Sequence, residues 1–212
     1  MDITWLGHSC FVIKGKQATV VTDPYHNFDS YKLAKPSADI VTVSHQHDHH
    51  NNSDAVDGKP RVVSGPGEYE IKGVFITGIG TYHDNVSGEK AGKNTIYLIE
   101  LDDIRVCHLG DLGHKLSSRQ TEELSDIDVL LVPVGGLTTI NAPVAAEVIN
   151  MLDLEVVIPM HYKTAATVMG LDPVENFLKE MGHKEVIPQA KLNVSKSGLT
   201  RNTQLVVLEY NR

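Results

Sequence analysis

Apolar residues run through this chain in short bursts of about five to eight, and most bursts are cut off by glycine, proline or aspartate. Bursts of that length, rich in valine, isoleucine and aromatic residues, are strand signals. Asp2–Leu6, Cys10–Lys14 and Ala18–Thr22 are expected to form an antiparallel meander, with Gly7 and Gly15 at the turns and Asp23-Pro24 closing the third strand. Ile40–Ser44 and Arg61–Val63 follow as strands. Glu68–Lys72 and Val74–Thr77 flank Gly73 as a tight hairpin, and Asn94–Leu101 and Ile104–Leu109 flank Asp102-Asp103 as another.

After residue 110 helices enter between the strands. Ser118–Leu124 reads as a short helix with an acidic first turn, and Asp128–Pro133 as a buried strand. Asn141 caps a helix running to Leu152, with Pro143 in its first turn. Val156–Pro159 is a strand, Asp172 caps a helix from Pro173 to Met181 that Gly182 stops, and Gln204–Tyr210 is the last strand. No linker or low-complexity stretch interrupts the pattern, so residues 1–212 read as a single domain. Two sheets packed face to face, with helices outside, would bury all of these apolar faces.

Composition narrows the partners. At 41% hydrophobic the chain can bury a proper core. No apolar run reaches the roughly 20 residues that cross a bilayer. The start, Met1-Asp2-Ile3-Thr4-Trp5, lacks the basic-then-apolar pattern of a secretory leader. Cys10 and Cys107 both lie in apolar runs and read as buried thiols, not as a disulfide framework. A cytoplasmic protein with no membrane association is the expectation. The net charge of −8 and the absence of any Lys/Arg run argue against nucleic acid as the main partner. The pattern leaves oligomeric state open.

The chemistry concentrates in His45-Gln46-His47-Asp48-His49-His50, four imidazoles directly after the apolar run Ile40-Val41-Thr42-Val43-Ser44. Neutral imidazole is the commonest metal ligand. In extended backbone His45 and His47 point to one side, and a turn after them can return His49 or His50 to the same spot. Three further candidates stand where strands end and loops begin: His83, Asp111 and His161. His8, Asp23, His114 and Lys163 are candidate outer residues, whereas His108 reads as buried structure.

These segments, from Trp5-Leu6-Gly7-His8-Ser9-Cys10-Phe11 through Thr22-Asp23-Pro24, the histidine cluster, His83 and Gly110-Asp111 to Pro159-Met160-His161-Tyr162, resemble the metallo-β-lactamase superfamily of zinc-dependent hydrolases. The closest likeness is to its small single-domain branch, to which ascorbate-6-phosphate lactonase-type proteins are related. The resemblance implies an α+β fold, a four-layer αββα sandwich of two mixed sheets with helices outside. It implies one zinc ion held by His45, His47 and His83, a bridging Asp111, and a second ion on His50 and His161. The expected activity is hydrolysis of a small anionic ester, lactone or phosphoester by a metal-bound hydroxide. Asp111, His8 and His114 would serve proton transfer, and Lys163 and His8 would meet the substrate.

The family motif runs His-x-His-x-Asp-His, and here His49 stands at its Asp. Three readings of position 49 are open. His49 replaces the carboxylate as a nitrogen ligand, the second site is empty, or Asp48 swings in. Two other functions also stay open: a nuclease or phosphodiesterase of the same superfamily, and a non-enzymatic metal-binding protein with a degenerate second site.

Overall fold

The computed structural model describes residues 1–200 and 202–210. In chain order the strands are Asp2–Gly7 (β1), Cys10–Lys14 (β2), Thr19–Thr22 (β3), Ile40–Val43 (β4), Arg61–Ser64 (β5), Gly67–Ile71 (β6), Val74–Tyr82 (β7), Lys93–Leu101 (β8), Ile104–His108 (β9), Ile127–Pro133 (β10), Leu154–Met160 (β11), Leu192–Asn193 (β12) and Gln204–Leu205 (β13). The helices are Ser118–Glu123 (α1), Ala142–Asn150 (α2) and Val174–Glu180 (α3).

They build two mixed sheets. The first has the order β12-β1-β2-β3-β4-β5 and the second β13-β11-β10-β9-β8-β7-β6. In each, an antiparallel meander passes into parallel strands: β3, β4 and β5 in the first, and β9, β10, β11 and β13 in the second. All seven residues of β10 are buried, so both of its faces are covered. One side meets the other sheet in a shared core that includes Trp5, Phe11, Ile40, Ile96 and Leu131, and α2 and α3 add Ala145, Val148 and Phe177 to the same core. On the first sheet Val41 and Val43 face outward under Tyr25, Tyr31, Val56 and Ala166. This outer layer is loop with a short 3-10 turn at Ser53–Ala55.

Several details differ from the sequence expectation. The first turn of α1 carries no acid; a capping box between Ser117 and Gln120 satisfies its amides instead. Pro173, not Asp172, is the N-cap of α3. The Asp172 backbone instead ties the Gly135 and Lys163 loops together. β7 runs five residues beyond Thr77, because Gly78 and Gly80 dilute its apolar pattern without breaking its pairing with β8. Only Gln204 and Leu205 of the last expected strand pair with β11, while Gln189 bridges to Leu208 further along. No described helix is long and apolar enough to cross a membrane.

Candidate metal centre

The loops that leave β4, β7, β9 and β11 meet at one edge of the sandwich, and each brings a histidine or carboxylate. Asp111, three residues beyond β9, is at their centre and buried. Its Oδ2 lies 3.1 Å from His83 Nε2, 3.2 Å from His50 Nε2, 3.3 Å from His161 Nε2 and 4.0 Å from His45 Nε2. Gly110 makes that approach possible. Its φ is +56°, and a Cβ there would strike Asn94 Oδ1 and the Ser44 side chain. Asn94 Oδ1 accepts from the Asp111 amide at 3.0 Å, and Ser9 Oγ donates to Asp111 Oδ1 at 3.3 Å.

The outer hydrogen bonds fix the protons on three rings. The Thr138 carbonyl can only accept, so His83 Nδ1 donates to it at 2.9 Å. Asp23 Oδ2 accepts from His50 Nδ1 at 2.9 Å and from Ser44 Oγ at 2.5 Å. That bond uses the only proton of Ser44, so Ser44 Oγ accepts from His45 Nδ1 at 2.9 Å. When neutral, all three rings therefore turn an Nε2 lone pair inward. Among the described residues His45 Nε2 is buried with no hydrogen-bond partner, and so is His161 Nδ1. Buried lone pairs aimed at one carboxylate call for a cation between them. The donor set of imidazoles with one carboxylate suits zinc or a similar transition ion.

Electrostatics agree. Burial alone would raise the Asp111 pKa, but His161 and His50 hold it well below the usual carboxylate range. Burial would lower the His50 pKa, yet Asp111 and Asp23 push it up to about 10. His83 is raised in the same way, by Asp111 against burial. Without a metal, a proton on these rings takes the place that a cation would fill.

Among the described residues three groups of possible ligands result: His45 with His47 and His83, His8 with His50, Asp111 and His161, and Asp23 with His45 and His50, the last already tied together by hydrogen bonds through Asp23 and Ser44. His47 is exposed, its ring 4.5 Å from that of His45 and 5.2 Å from that of His83. His49 belongs to none of them; its ring stacks on Phe28 at 3.9 Å. Both nitrogens of His114 are occupied, by the Tyr82 amide and the Lys115 carbonyl. Lys163 is exposed, two residues past His161, and without an ion-pair partner among the described residues. His108 donates to the Ser9 carbonyl at 2.8 Å and accepts from the Gly110 amide at 3.2 Å, a purely structural pairing. Sequence reasoning did not single out Ser44, Asn94 or Thr138. Only Ser44 left a signal, a hydroxyl immediately before the first histidine of the cluster.

Two clefts open beside the centre. One of about 460 Å³ includes His45, His47, Ser64, Pro66 and Lys93, and one of about 360 Å³ includes His83, Lys90 and Thr138. Ala91 borders both.

The Beta-lactamase superfamily domain matches residues 2–161. A UPF0173 protein of Pyrococcus furiosus is 31% identical over 214 residues, covering 88% of this chain and 93% of its own. A UPF0173 metal-dependent hydrolase of Thermococcus onnurineus is 31% identical over 217 residues, covering 88% and 95%. The crystal structure of a proposed Zn-dependent hydrolase of the metallo-beta-lactamase superfamily from Thermotoga maritima has a TM-score of 0.82 at 41% identity, over 98% of this chain and 97% of that one.

Proposed function

The chain belongs to the family of the Beta-lactamase superfamily domain, and from that premise we propose that it is a zinc enzyme for small anionic esters, lactones or phosphoesters. The coarser activity, metal-dependent hydrolysis within the metallo-β-lactamase superfamily, is that of its relatives and stands for this chain as well. The observation that carries the finer reading is the inward set of Nε2 lone pairs around Asp111.

In this reading His45, His47 and His83 would hold one zinc ion and His50 and His161 a second, with Asp111 serving both. Zinc in such a site acidifies water and polarises a carbonyl or phosphoryl oxygen. The chain's own residues do the rest. Asp23, Ser44 and Thr138 hold the rings in one tautomer. Asp111, buried and held ionised by His161 and His50, is assigned the acceptor role toward the attacking water. Lys93 beside His45 and His47, and Lys90 beside His83, supply positive charge where an anionic group would enter. Lys163, exposed two residues past His161, is assigned the same attraction, whereas His114, with both nitrogens engaged, has no charge to offer it.

The test is metal analysis of the purified protein with a substrate panel of lactones, phosphodiesters and thioesters. Zinc content above background, and hydrolysis abolished by chelation and restored by zinc, are the expected results. Full activity in a metal-free preparation overturns the proposal.

A further inference from the structure

We propose that the donor missing from the histidine motif at position 49 is supplied by His8, from the turn between β1 and β2. This rests on the two-ion reading above and assigns the ligands of its second site. A ligand atom of His8 lies within 4.8 Å of those of His50, Asp111 and His161, whereas His49 offers none to any such group. The His8 ring centroid is 4.1 Å from that of His161 and 4.9 Å from that of His50. The residue is 2% exposed, and among the described residues its ring makes no hydrogen bond. An imidazole set so deep, with no described protein group bound to its ring and two other imidazoles and a carboxylate within ligand distance, is arranged to share a cation with them.

The backbone shows how the turn is held for that purpose. The His8 carbonyl accepts from Trp5 Nε1 at 3.0 Å and from the His161 amide at 3.1 Å, so the two rings ride on backbones bonded to each other. Both residues are left-handed, with φ +52° at His8 and +51° at His161. Non-glycine residues persist there only where the surroundings over-determine them, and such positions gather at functional sites. His49 has a different place. It stacks on Phe28 at 3.9 Å and 21°, and Phe28 also meets His8 edge-on at 5.2 Å. His49 and Phe28 together wall the His8 ring from outside. The exchange also has a chemical consequence. Imidazole in place of carboxylate leaves the second site one negative charge short, which strengthens its pull on an anionic substrate.

Three proteins distinguish the assignments: the wild type, His8→Asn and His49→Phe. Asparagine tolerates the left-handed backbone at position 8, and phenylalanine keeps the stack at position 49. Each is loaded with zinc, dialysed, and assayed for metal per chain, with circular dichroism as the check of folding. Cobalt titration, followed by its visible spectrum, reports the nitrogen ligands. The expected result is two equivalents in the wild type and in His49→Phe but one in His8→Asn. The second equivalent in His8→Asn should be weakened by more than the ~10–100-fold typical of losing an outer partner. Anomalous scattering from wild-type crystals should place the second ion about 2.0–2.1 Å from a His8 nitrogen. Two tightly bound equivalents in His8→Asn, loss of one in His49→Phe, or a second ion on His49 overturns the assignment and leaves the hydrolase reading standing. A wild type that binds no metal overturns both.

Discussion

Asp23 shows how much a residue that touches no substrate can decide. It is fully buried, and its carboxylate receives the Ser44 amide at 2.8 Å, the Ser44 hydroxyl and the His50 ring. Burial would raise its pKa, but His108 and then His50 keep it low, so it remains a pure acceptor. Through it both His45 and His50 keep their Nδ1 protons outward. Asp23→Asn has nearly the same shape but can present an N–H where an acceptor is needed, freeing either ring to turn over. We expect the metal affinity of Asp23→Asn to fall by ~10–100-fold with little loss of fold, measured by competition with a chromophoric chelator. Unchanged affinity would show that the ring tautomers are set elsewhere. At this scale the sequence displayed the residue types but not their pairing. His45, His47, His50, His83, Asp111 and His161 stood out because each follows a strand, and the fold brings them together. His8 and His49 could not be ranked, because the left-handed turn at His8 and the Phe28 stack at His49 leave no trace in the hydrophobic pattern.

Among the elements, strands supply position and loops supply adjustment. The loop between β7 and β8 is organised by one side chain. Asp84 Oδ1 accepts from the amides of Val86 and Gly88 at 2.9 and 2.7 Å, and Oδ2 from those of Lys90 and Ala91 at 2.9 and 2.8 Å. Burial opposes the charge, but these four bonds hold the Asp84 carboxyl below its ordinary range. The loop so fixed carries Lys90 and Ala91 along the clefts. Asp84→Ala removes all four acceptor bonds while leaving every proposed ligand in place. The expected outcome is faster hydrogen exchange across residues 85–92, a several-fold rise in KM and unchanged metal content. Loss of metal along with KM would mean that the loop holds His83 and not the substrate. Such loops were the least legible part of the chain. The strands of the meanders and the α2 cap at Asn141 follow from alternation and capping chemistry, and they formed nearly where expected. β12 and β13 are two-residue pairings, too short for any period to show.

Taken whole, the molecule clamps four strand ends around a charge it does not itself supply. Two sheets with a continuous core bring residues as distant as His8 and His161 into contact, so the free energy of metal binding is also free energy of folding. Free zinc at ~1,000 times its dissociation constant should stabilise the fold by about 4 kcal/mol. For a chain of this size that corresponds to a rise in Tm of roughly 10 °C. The pH dependence has a definite sign. In the metal-free protein His50 has a pKa of about 10, above the usual 6.5, because Asp111 and Asp23 outweigh its burial. A raised pKa contributes stability that is complete below pH 6.5 and is lost as pH climbs through about 10. Bound metal displaces that proton, so its affinity gains across the same window while the metal-free fold weakens. The gap in Tm between zinc-loaded and chelator-treated protein should therefore widen steadily from pH 6.5 towards 10. Thermal melts of both forms at several pH values measure it directly. A gap that stays constant or narrows over that range would show that the proton on His50 does not compete with the metal.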